Sequence, residues 1–545
     1  MRSASICLLF GLLIVPPAAG QGGGASPAAR LAAAVDPRVL RAHLEFLADD
    51  ALEGRAPGTR GGELAAKYIA TQFARLGLEP AGDSGTYFQR VPIIALTPRP
   101  SLAVAGGAAT PLAWKGDYVM WSMRNDSTVR TTADAVFVGY GIVAPELGWN
   151  DYEGADVKGK IVITVVNDPG LVDSAIFRGK ILTYYGRWTY KIEEARRQGA
   201  AGILMIHTPE SATYPWTTVL SGWTGPQVRL EMPSSSLVVA GWLQHDAASR
   251  IFKTGGKDLS QLEAAAARRG FKAVPLGVQL DASVQSGIRR SSTENVLGRL
   301  PGKGPLAQEA VLISGHYDHF GIGAPVNGDS IYNGAEDNAS GTAAVMTTAE
   351  AFVRSGVRPS RSIVFIGFAA EESGLLGSQA LAANPFLPLK DMAAILNLDV
   401  INLYGKTRDF SALGLDQSSL GRTVREAAAA EGLKISTNQE ALISGSFFRS
   451  DHFSLAQAGV PGTSLENGSD YIGRPAGWGQ KQKEEYTATR YHQPQDNVQP
   501  WFNYDGAIQQ LRVTVRTALL VAEAPSQPTW GPTSEFRQAG EARRK

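Results

Sequence analysis

The chain has 545 residues, of which 44% are hydrophobic and 19% are charged. This length and composition are those of a folded protein of two or three domains and exclude a disordered protein. Its formal net charge of +1 gives no global field that would attract nucleic acid or an anionic membrane. Its single cysteine, Cys7, lies near the N-terminus, so no disulfide and no thiolate metal ligand are expected in the rest of the chain.

The first residues have the pattern of a secretory signal peptide. Arg2 supplies a basic start, Ile6–Val15 is a continuous apolar run, and small residues follow a pair of prolines. The apolar run is too short to span a bilayer, which takes about 20 residues. We therefore expect residues 1–20 to be a signal peptide and residues 21–34 a flexible leader. The protein would be exported, periplasmic or secreted, without stable membrane insertion.

Two helices are predicted next. Asp36 is typical of a helix N-cap and is followed by Pro37 and by a helical apolar periodicity that reaches Leu47. A second helix is predicted from about Gly62 to Leu76 after a turn-rich loop. Since two helices cannot bury both of their faces alone, residues 35–129 are expected to pack on a sheet formed by later residues.

The middle of the chain changes character. Residues 135–143 and 159–166 are strand-like, a helix is predicted around Tyr190–Gln198, and another strand follows at 203–206. Two strings, Val157-Lys-Gly-Lys-Ile-Val162 and Glu194-Ala-Arg-Arg-Gln-Gly-Ala-Ala-Gly-Ile203, resemble the protease-associated domain, a non-catalytic β-rich insert. The resemblance covers roughly residues 130–275, and a generic mixed sheet is the alternative.

Strands and helices then alternate, which predicts an α/β domain with a mixed, mostly parallel sheet sandwiched by helices. The predicted strands are 310–314, 362–368, 393–398 and 462–465, and the predicted helices are 340–354, 418–431, 451–458 and 505–522. We place the main part of the domain at residues 285–525. Residues 526–545 are rich in Pro, Gly and charge and are expected to be a disordered tail.

Histidines and carboxylates follow these predicted strands directly, where open α/β sheets carry their sites. The set has nitrogen and oxygen ligands without sulfur and suits Zn²⁺ or another divalent ion. Its members are His316 and Asp318 after the first strand, Asp337 before the first helix, Glu371 and Glu372 after the second strand, Asp399 after the third, and the late Tyr491-His492 pair.

These residues belong to motifs whose order resembles the two-zinc aminopeptidases, a family that also includes glutamate carboxypeptidase II. The resemblance covers most of residues 35–120 and 285–525 and implies a zinc exopeptidase fold. The five motifs are His316-Tyr-Asp318, Glu336-Asp-Asn-Ala-Ser-Gly341, Glu371-Glu372, Asn397-Leu-Asp399 and Tyr491-His492.

The resemblance implies a role for each matching position. Asp337 would bridge two zinc ions, His316 and Asp399 would complete one ion, and Glu372 and His492 would complete the other. Glu371 would be the general base for the bridging water, and Tyr491 would donate to the developing oxyanion. Asp318 could accept the second ring N–H of His316 and fix its tautomer.

Other residues near these motifs are weaker candidates. His319 could compete with His316 for metal, but the family pattern uses the first histidine, so His319 is expected to be a bystander. Arg449 is a candidate carboxylate clamp. His452, Phe447 and Phe448 are candidates for a substrate pocket, with ordinary core packing as the alternative.

The sequence therefore predicts an exported two-zinc metallopeptidase that hydrolyses peptides at a chain end, as an aminopeptidase first. The alternatives are a carboxypeptidase or dipeptidase like glutamate carboxypeptidase II, a non-catalytic binding protein like the transferrin receptor, and a glutaminyl cyclase. The direction of attack depends on whether the site receives an amine or a carboxylate. No nucleic-acid partner is expected, and the oligomeric state is not readable from the sequence.

Overall fold

The computed structural model describes residues 25–105, 112–231 and 235–545. The predicted signal peptide and residues 21–24 of the predicted leader lie outside the described residues. Among the helices that are described, none combines the length and the apolar character that crossing a membrane requires.

The α-helices of the described residues are mostly two to five turns long. In chain order they are α1 (Pro27–Ala33), α2 (Pro37–Leu47), α3 (Arg60–Arg75), α4 (Trp188–Arg197), α5 (Pro209–Ala212), α6 (Trp216–Trp223), α7 (His245–Thr254), α8 (Leu259–Ala266), α9 (Ser340–Ser355), α10 (Leu376–Ala383), α11 (Leu420–Ala430), α12 (Gln439–Ile443), α13 (His452–Gln457), α14 (Trp478–Thr489), α15 (Asp505–Glu523) and α16 (Arg537–Ala542).

The strands range from two-residue pairings to a pair of very long strands. They are β1 (Glu79–Pro80), β2 (Phe88–Ala105), β3 (Tyr118–Ser122), β4 (Thr128–Phe137), β5 (Val143–Ala144), β6 (Trp149–Asn150), β7 (Ile161–Val165), β8 (Gly202–His207), β9 (Gln227–Leu230), β10 (Val239–Gln244), β11 (Val274–Leu300), β12 (Ala310–His316), β13 (Gly321–Val326), β14 (Asp329–Tyr332), β15 (Ser362–Phe368), β16 (Met392–Asn397), β17 (Asp409–Leu413), β18 (Lys434–Ile435) and β19 (Gly462–Glu466).

The C-terminal half forms the main lobe, whose sheet has the order β18-β17-β19-β16-β12-β15-β11. Its central strands β15, β12, β16 and β19 are parallel, and β11 and β17 flank them antiparallel. Every residue of β12, β15 and β16 is buried because helices cover both faces of the sheet, α9 and α15 on one side and α10 and α13 on the other. The predicted α/β class with a mixed, mostly parallel sheet is confirmed.

A second sheet segment, the insert lobe, continues from β11 in the order β4-β7-β8-β10-β3 and has its own hydrophobic cores. The long strands β2 and β11 pair from Phe88↔Val296 to Ala105↔Gln279 and join the two lobes as one antiparallel ribbon. Strand β3, which the prediction left in residues 35–129, pairs with β10 and belongs to the insert lobe. The identification of this lobe as a protease-associated domain remains a prediction.

The strand predicted at residues 135–143 is too long at its C-terminal end. Strand β4 ends at Phe137, and Gly139 and Gly141 then take positive φ angles of 56° and 62°. Glycine adopts this left-handed conformation at little cost, so the apolar run turns away from the sheet instead of continuing in it.

The predicted flexible leader and disordered tail are both wrong within the described residues. Helix α1 starts at the cap Ser26, and its Leu31 is buried in the main core. In the tail, Trp530 and Phe536 are buried in a cluster with Phe447. A few apolar anchors hold each segment, and overall composition does not reveal such anchors.

Candidate active site

The parallel strands carry the predicted ligands to one edge of the sheet of the main lobe. His316 is the last residue of β12, Glu371 follows β15, and Asp399 follows β16. The register pairs Ser314 with Asn397, so His316 and Asp399 leave the sheet at the same level. The tertiary structure therefore brings together side chains that are far apart in the chain, as strand ends in an open α/β sheet do.

Asp337 lies at the centre of the cluster. Its Oδ1 is 3.3 Å from Nε2 of His316, and its Oδ2 is 3.3 Å from Nε2 of His492. Burial disfavours the charged carboxylate, but the two nearby imidazoles outweigh burial and hold the pKa of Asp337 below its usual range. Each carboxylate oxygen therefore faces a different potential ligand group.

Three groups of side chains have ligand atoms within 4.8 Å of one another and could hold a metal ion. They are His316–Asp337–Asp399, His319–Asp337–Glu372 and His316–Glu371–Glu372. His492 completes the second group from the other side, since its Nε2 is 3.3 Å from Oε2 of Glu372. The Nε2 atoms of His319 and His492 are buried and have no hydrogen-bond partner within the described part of the chain, and lone pairs on such nitrogens fit a divalent cation.

His319 was expected to be a bystander, but it lies inside the cluster. Its Nδ1 is 2.8 Å from Oε1 of Glu372, and its side chain is fully buried. Burial lowers the pKa of His319 to about 3, which favours the neutral ring. The sequence could not reveal this because His316 and His319 both lie at the end of the same strand. Only the turn of the chain after β12 decides whether the side chain of His319 enters the cluster.

Asp318 supports the site differently from the prediction. The backbone carbonyl of Asp318, at 3.2 Å, is closer to Nδ1 of His316 than its carboxylate, at 3.8 Å. The carboxylate instead accepts the backbone N–H groups of Glu371 at 3.0 Å and Glu372 at 3.4 Å. It thus fixes the turn that presents both glutamates, while the carbonyl orients the imidazole.

A chain of polar side chains that the motifs did not single out orients Asp399. Ser450 donates from its Oγ to Oδ2 of Asp399 at 2.6 Å and accepts from the amide of Asn397 at 2.6 Å. Ser314 in turn donates to the amide oxygen of Asn397 at 2.7 Å. The sequence showed Asn397 only as part of the Asn397-Leu-Asp399 motif. Nothing in the sequence indicated a role for Ser314 and Ser450 except their position beside the strand ends.

The loop that carries Asp337 is held by a second set of partners. Both oxygens of Asp496 accept backbone N–H groups, from Glu336 at 2.9 Å and from Asp337 at 3.0 Å. Glu336 accepts from the hydroxyl of Tyr404 at 2.7 Å and from Arg490 at 3.1 Å. Burial raises the pKa of Asp496 to about 8. The two backbone N–H bonds oppose this rise, because they favour the charged carboxylate.

Arg55 lies behind the cluster and is fully buried. Its guanidinium donates to the carbonyls of Tyr317 at 2.7 Å, Asn333 at 2.5 Å, Gly334 at 3.1 Å and also Leu47. One side chain thus joins the end of β12 to the loop before Asp337. The sequence placed Arg55 in a turn-rich loop. Apart from the Gly-Arg pair in that loop, nothing in the sequence indicated a role for Arg55.

Glu466 is a further carboxylate at the same sheet edge. Asn397 pairs with Ser464, so Asp399 and Glu466, each two residues later, leave neighbouring parallel strands at the same level. Burial raises the pKa of Glu466 to about 7, and the negative charge of Asp399 adds to this effect. Glu466 is not a member of the three potential metal groups found among the described residues.

Tyr491 and Arg449 remain accessible beside the cluster, whereas three pocket candidates are core residues. Tyr491 stacks on His492 with ring centroids 3.7 Å apart and is 40% exposed. Phe447, Phe448 and His452 are buried, and the ring of His452 lies 4.6 Å from that of Phe447. Their packing agrees with the alternative of ordinary core residues, and a role of these three in a substrate pocket remains a prediction.

Residues 295–516, which carry most of this cluster, match the model of Peptidase family M28. The chain is 34% identical to Leupeptin-inactivating enzyme 1 of Streptomyces exfoliatus over 32% of this chain and 36% of the relative. It is 27% identical to Aminopeptidase YwaD of Bacillus subtilis (strain 168) over 66% of this chain and 63% of the relative. The matches thus span less than two thirds of either curated relative.

Among solved structures, the chain is similar to the aminopeptidase from Aneurinibacillus sp. strain AM-1. The sequence identity is 17%, the TM-score is 0.46, and the alignment covers 92% of this chain and 97% of that one.

Proposed function

From the match of residues 295–516 to the model of Peptidase family M28, we propose that the protein is a zinc-dependent exopeptidase that removes residues from the N-terminus of peptides. The names of the curated relatives, an aminopeptidase and a leupeptin-inactivating enzyme, support a peptide substrate. Export from the cell, as the N-terminal apolar run suggests, is part of this proposal.

The observation that carries the proposal is the placement of Asp337 between His316 and His492, with one carboxylate oxygen toward each. We assign His316 and Asp399 to one zinc ion, Glu372 and His492 to a second, and Asp337 to both. His319 is positioned to orient Glu372 through their hydrogen bond. Bound zinc would supply Lewis acidity, which polarises a peptide carbonyl and lowers the pKa of water.

Glu371 fits the role of the proton carrier. Burial and the carboxylates of Asp399, Asp451 and Asp337 raise the pKa of Glu371 well above its usual value, although the charge of His316 opposes them. A carboxylate of raised basicity takes a proton from the attacking water and passes it to the leaving amine. Tyr491, accessible beside His492, would donate its hydroxyl to the oxygen that gains negative charge.

Glu466 supports attack at the N-terminus. It lies beside Asp399, it is outside the potential metal groups of the described residues, and a carboxylate in that position can receive the substrate ammonium. A non-catalytic binding protein has less support because the complete predicted ligand set and Glu371 are present around Asp337.

The test is metal content measured together with activity. We expect about two zinc ions per chain, loss of aminoacyl-anilide hydrolysis on chelation, and recovery when zinc is restored. Asp337→Ala should lose both ions and all activity, whereas Asp329→Ala, a change at the start of β14 and outside the cluster, should keep both. Hydrolysis of N-acyl dipeptides but not of free-amine substrates would overturn the proposed direction, and activity that is unaffected by metal removal would overturn the reaction class.

A further inference from the structure

Strand β11 has one edge that is paired only near its two ends. On that edge β4 pairs with β11 up to Gln285, and β15 pairs with it from Val296 onward. The other edge pairs with β2 continuously from Gln279 to Val296. Residues 286–295 of β11 therefore form a two-stranded ribbon with β2 between the two lobes. Among the described residues, no strand lies beside the second edge of this ribbon segment.

The backbone groups at this edge are free to bind a partner. Ser286 donates its N–H to the carbonyl of Ser127 at 2.8 Å, on the side of β4. Every second residue of an antiparallel strand directs its N–H and C=O to the same edge, so Ile288 and Arg290 direct theirs there as well. Neither residue has a backbone hydrogen bond at this edge within the described part of the chain. The outward backbone groups of Ser286–Arg290 are the open edge.

The open edge is accessible from outside the ribbon. Gly287 and Arg290 are exposed. A Cβ on Gly287 would meet only the side chain of Thr97 across the ribbon, at 3.9 Å, among the described residues. The edge is bordered by the loop before α3, since a Cβ on Gly58 would lie 3.3 Å from the carbonyl oxygen of Ser292. The space beside Ser286–Arg290 can therefore take another extended chain.

The opposite edge of the ribbon is closed to such pairing. On β2 the carbonyl of Pro92 accepts the N–H of Glu231 at 3.0 Å, so every second residue from Pro92 faces away from β11. Pro98 and Pro100 occupy such positions beyond the end of the pairing with β9. Proline has no N–H and keeps a strand edge from pairing with another chain. Residues 276–300 of β11 contain no proline, so the open edge keeps all of its donors.

Strand β11 leads from the open edge to the metal cluster. The carbonyl of Glu294 accepts the hydroxyl of Tyr317, which directly follows β12, at 2.7 Å. The amide oxygen of Asn295 accepts the N–H of Ala369 at 3.1 Å, two residues before Glu371. From there the open edge lies about 20 Å along the strand, and the two strand spacings from β11 to β12 add about 10 Å. This total corresponds to about nine extended residues.

The charge of the ribbon disfavours a second copy of this chain at the open edge. Two copies paired around a two-fold axis would place Arg289 and Arg290 of one beside those of the other, and like charges opposite each other destabilise a sheet. Arg290 pairs with Glu231 at 2.6 Å, but Arg289 has no salt bridge among the described residues. A neutral or acidic extended chain fits better, and the proposed function supplies one in the peptide substrate.

We propose that the open edge of β11 binds the main chain of the peptide substrate as an additional β-strand. The inference rests on the proposed function and specifies its substrate class, which is extended peptides of about nine or more residues. The N-terminal residue of the peptide lies at the metal cluster, and the following residues run along β11. Main-chain hydrogen bonds provide affinity in this binding mode without requiring a particular sequence.

Binding is tested with a twelve-residue peptide that is acetylated at its N-terminus and carries a fluorophore at its C-terminus. The acetyl group removes the N-terminal amine, so fluorescence anisotropy with the zinc-loaded full-length protein measures binding without removal of the first residue. In a series with one N-methylated residue each, methylation of every second residue along the edge should weaken binding about 10-fold. Methylation of the intervening residues should change it less than about 2-fold. A loss without this alternation, or no loss, would overturn the strand pairing.

The kinetic test compares kcat/KM for amidated peptides of two, four and twelve residues with the same first two residues. The unaltered protein should prefer the twelve-residue peptide to the dipeptide amide by about 10-fold or more. Ile288→Pro removes one outward N–H and leaves the bonds to β2, so it should lower this preference about 3- to 10-fold. Ile288→Val keeps the N–H and is the matched control, which should retain the preference.

Three results would overturn the inference. They are an unaltered protein without a length preference, an equal preference in Ile288→Pro and Ile288→Val, and a dimer that Ile288→Pro dissociates in analytical ultracentrifugation, since a second copy would then occupy the edge. The N-methylated series uses the unaltered protein and gives its readout even if Ile288→Pro folds poorly. Failure to hydrolyse peptides of any length would instead overturn the proposed exopeptidase function, while the binding series still tests the edge.

Discussion

At the residue scale, the proposed site assigns metal binding and proton transfer to different side chains. Glu371 and Glu372 are consecutive, and the carboxylate of Asp318 anchors the backbone N–H of both. Glu372 faces two imidazoles, His319 at 2.8 Å and His492 at 3.3 Å. Among the imidazoles of the described residues, only that of His316 lies near the carboxylate of Glu371, at 3.9 Å. The side chain of Glu371 therefore has fewer contacts that fix its position. Neighbouring positions in one turn can thus serve different chemical roles.

This difference predicts the effect of Glu371→Gln. The variant should keep its zinc content and fold but lose about 10²- to 10⁴-fold in kcat, since only the proton carrier is removed. Metal analysis and steady-state kinetics measure the two effects. Glu63→Gln, an exposed change on α3, should match the unaltered protein in both. A Glu371→Gln variant with full activity would remove the general-base assignment.

At the element scale, the strand ends supply the ligands, but loops between elements fix their geometry. The end of β12 and the loop before Asp337 belong to separate segments, and the guanidinium of Arg55 binds carbonyls of both. The charge of Arg55 also lies near Asp318, Asp496, Asp337 and Glu372, although burial lowers the pKa of Arg55 to about 10. Arg55 therefore acts as a positioning residue.

We expect Arg55→Met to lower zinc affinity about 10- to 100-fold, as loss of a contact that orients ligands commonly does. Arg55→Lys should fall between the variant and the unaltered protein, because it keeps the charge but reaches fewer carbonyls. Zinc titration with a competing chelator measures the affinity, and circular dichroism checks the fold. Arg41→Met, on the exposed face of α2, is the control. Unchanged zinc affinity in Arg55→Met would show that the loops hold without it.

At the scale of the whole molecule, the C-terminal tail connects the two lobes. Glu535 accepts the backbone N–H of Tyr184 in the insert lobe, and Phe536 packs both on Tyr184 and on Phe453 in the main lobe. The indole of Trp530 donates to the carbonyl of Gly459 at 3.0 Å. The tail thus stabilises the junction of the two lobes.

Phe536→Ala should destabilise the protein by about 3–5 kcal/mol, the usual effect of removing a buried aromatic side chain. The melting temperature in thermal denaturation should fall accordingly. Arg537→Ala, which removes only an exposed ion pair with Glu541, should change stability by less than about 1 kcal/mol. If both variants melted like the unaltered protein, the tail would not contribute to the junction.

The sequence alone determined the chemistry of the site and the class of the fold. Buried parallel strands appear in the sequence as continuous apolar runs, because both faces of their sheet are covered. Sites in such sheets lie at the strand ends, so ligand-type side chains directly after an apolar run indicate a site. That is why His316, Glu371 and Asp399 could be predicted to meet. The cap at Asp36 was also readable, because it depends on a local hydrogen bond, which Arg38 donates at 2.9 Å.

Only the tertiary structure decided which side chains support the ligands and where the lobes join. Arg55 is 262 residues from Tyr317, so no local pattern can relate them. His319 and the tail aromatics are ordinary residues in their sequence context. Their roles depend on long-range packing, in which a few buried contacts outweigh the local composition.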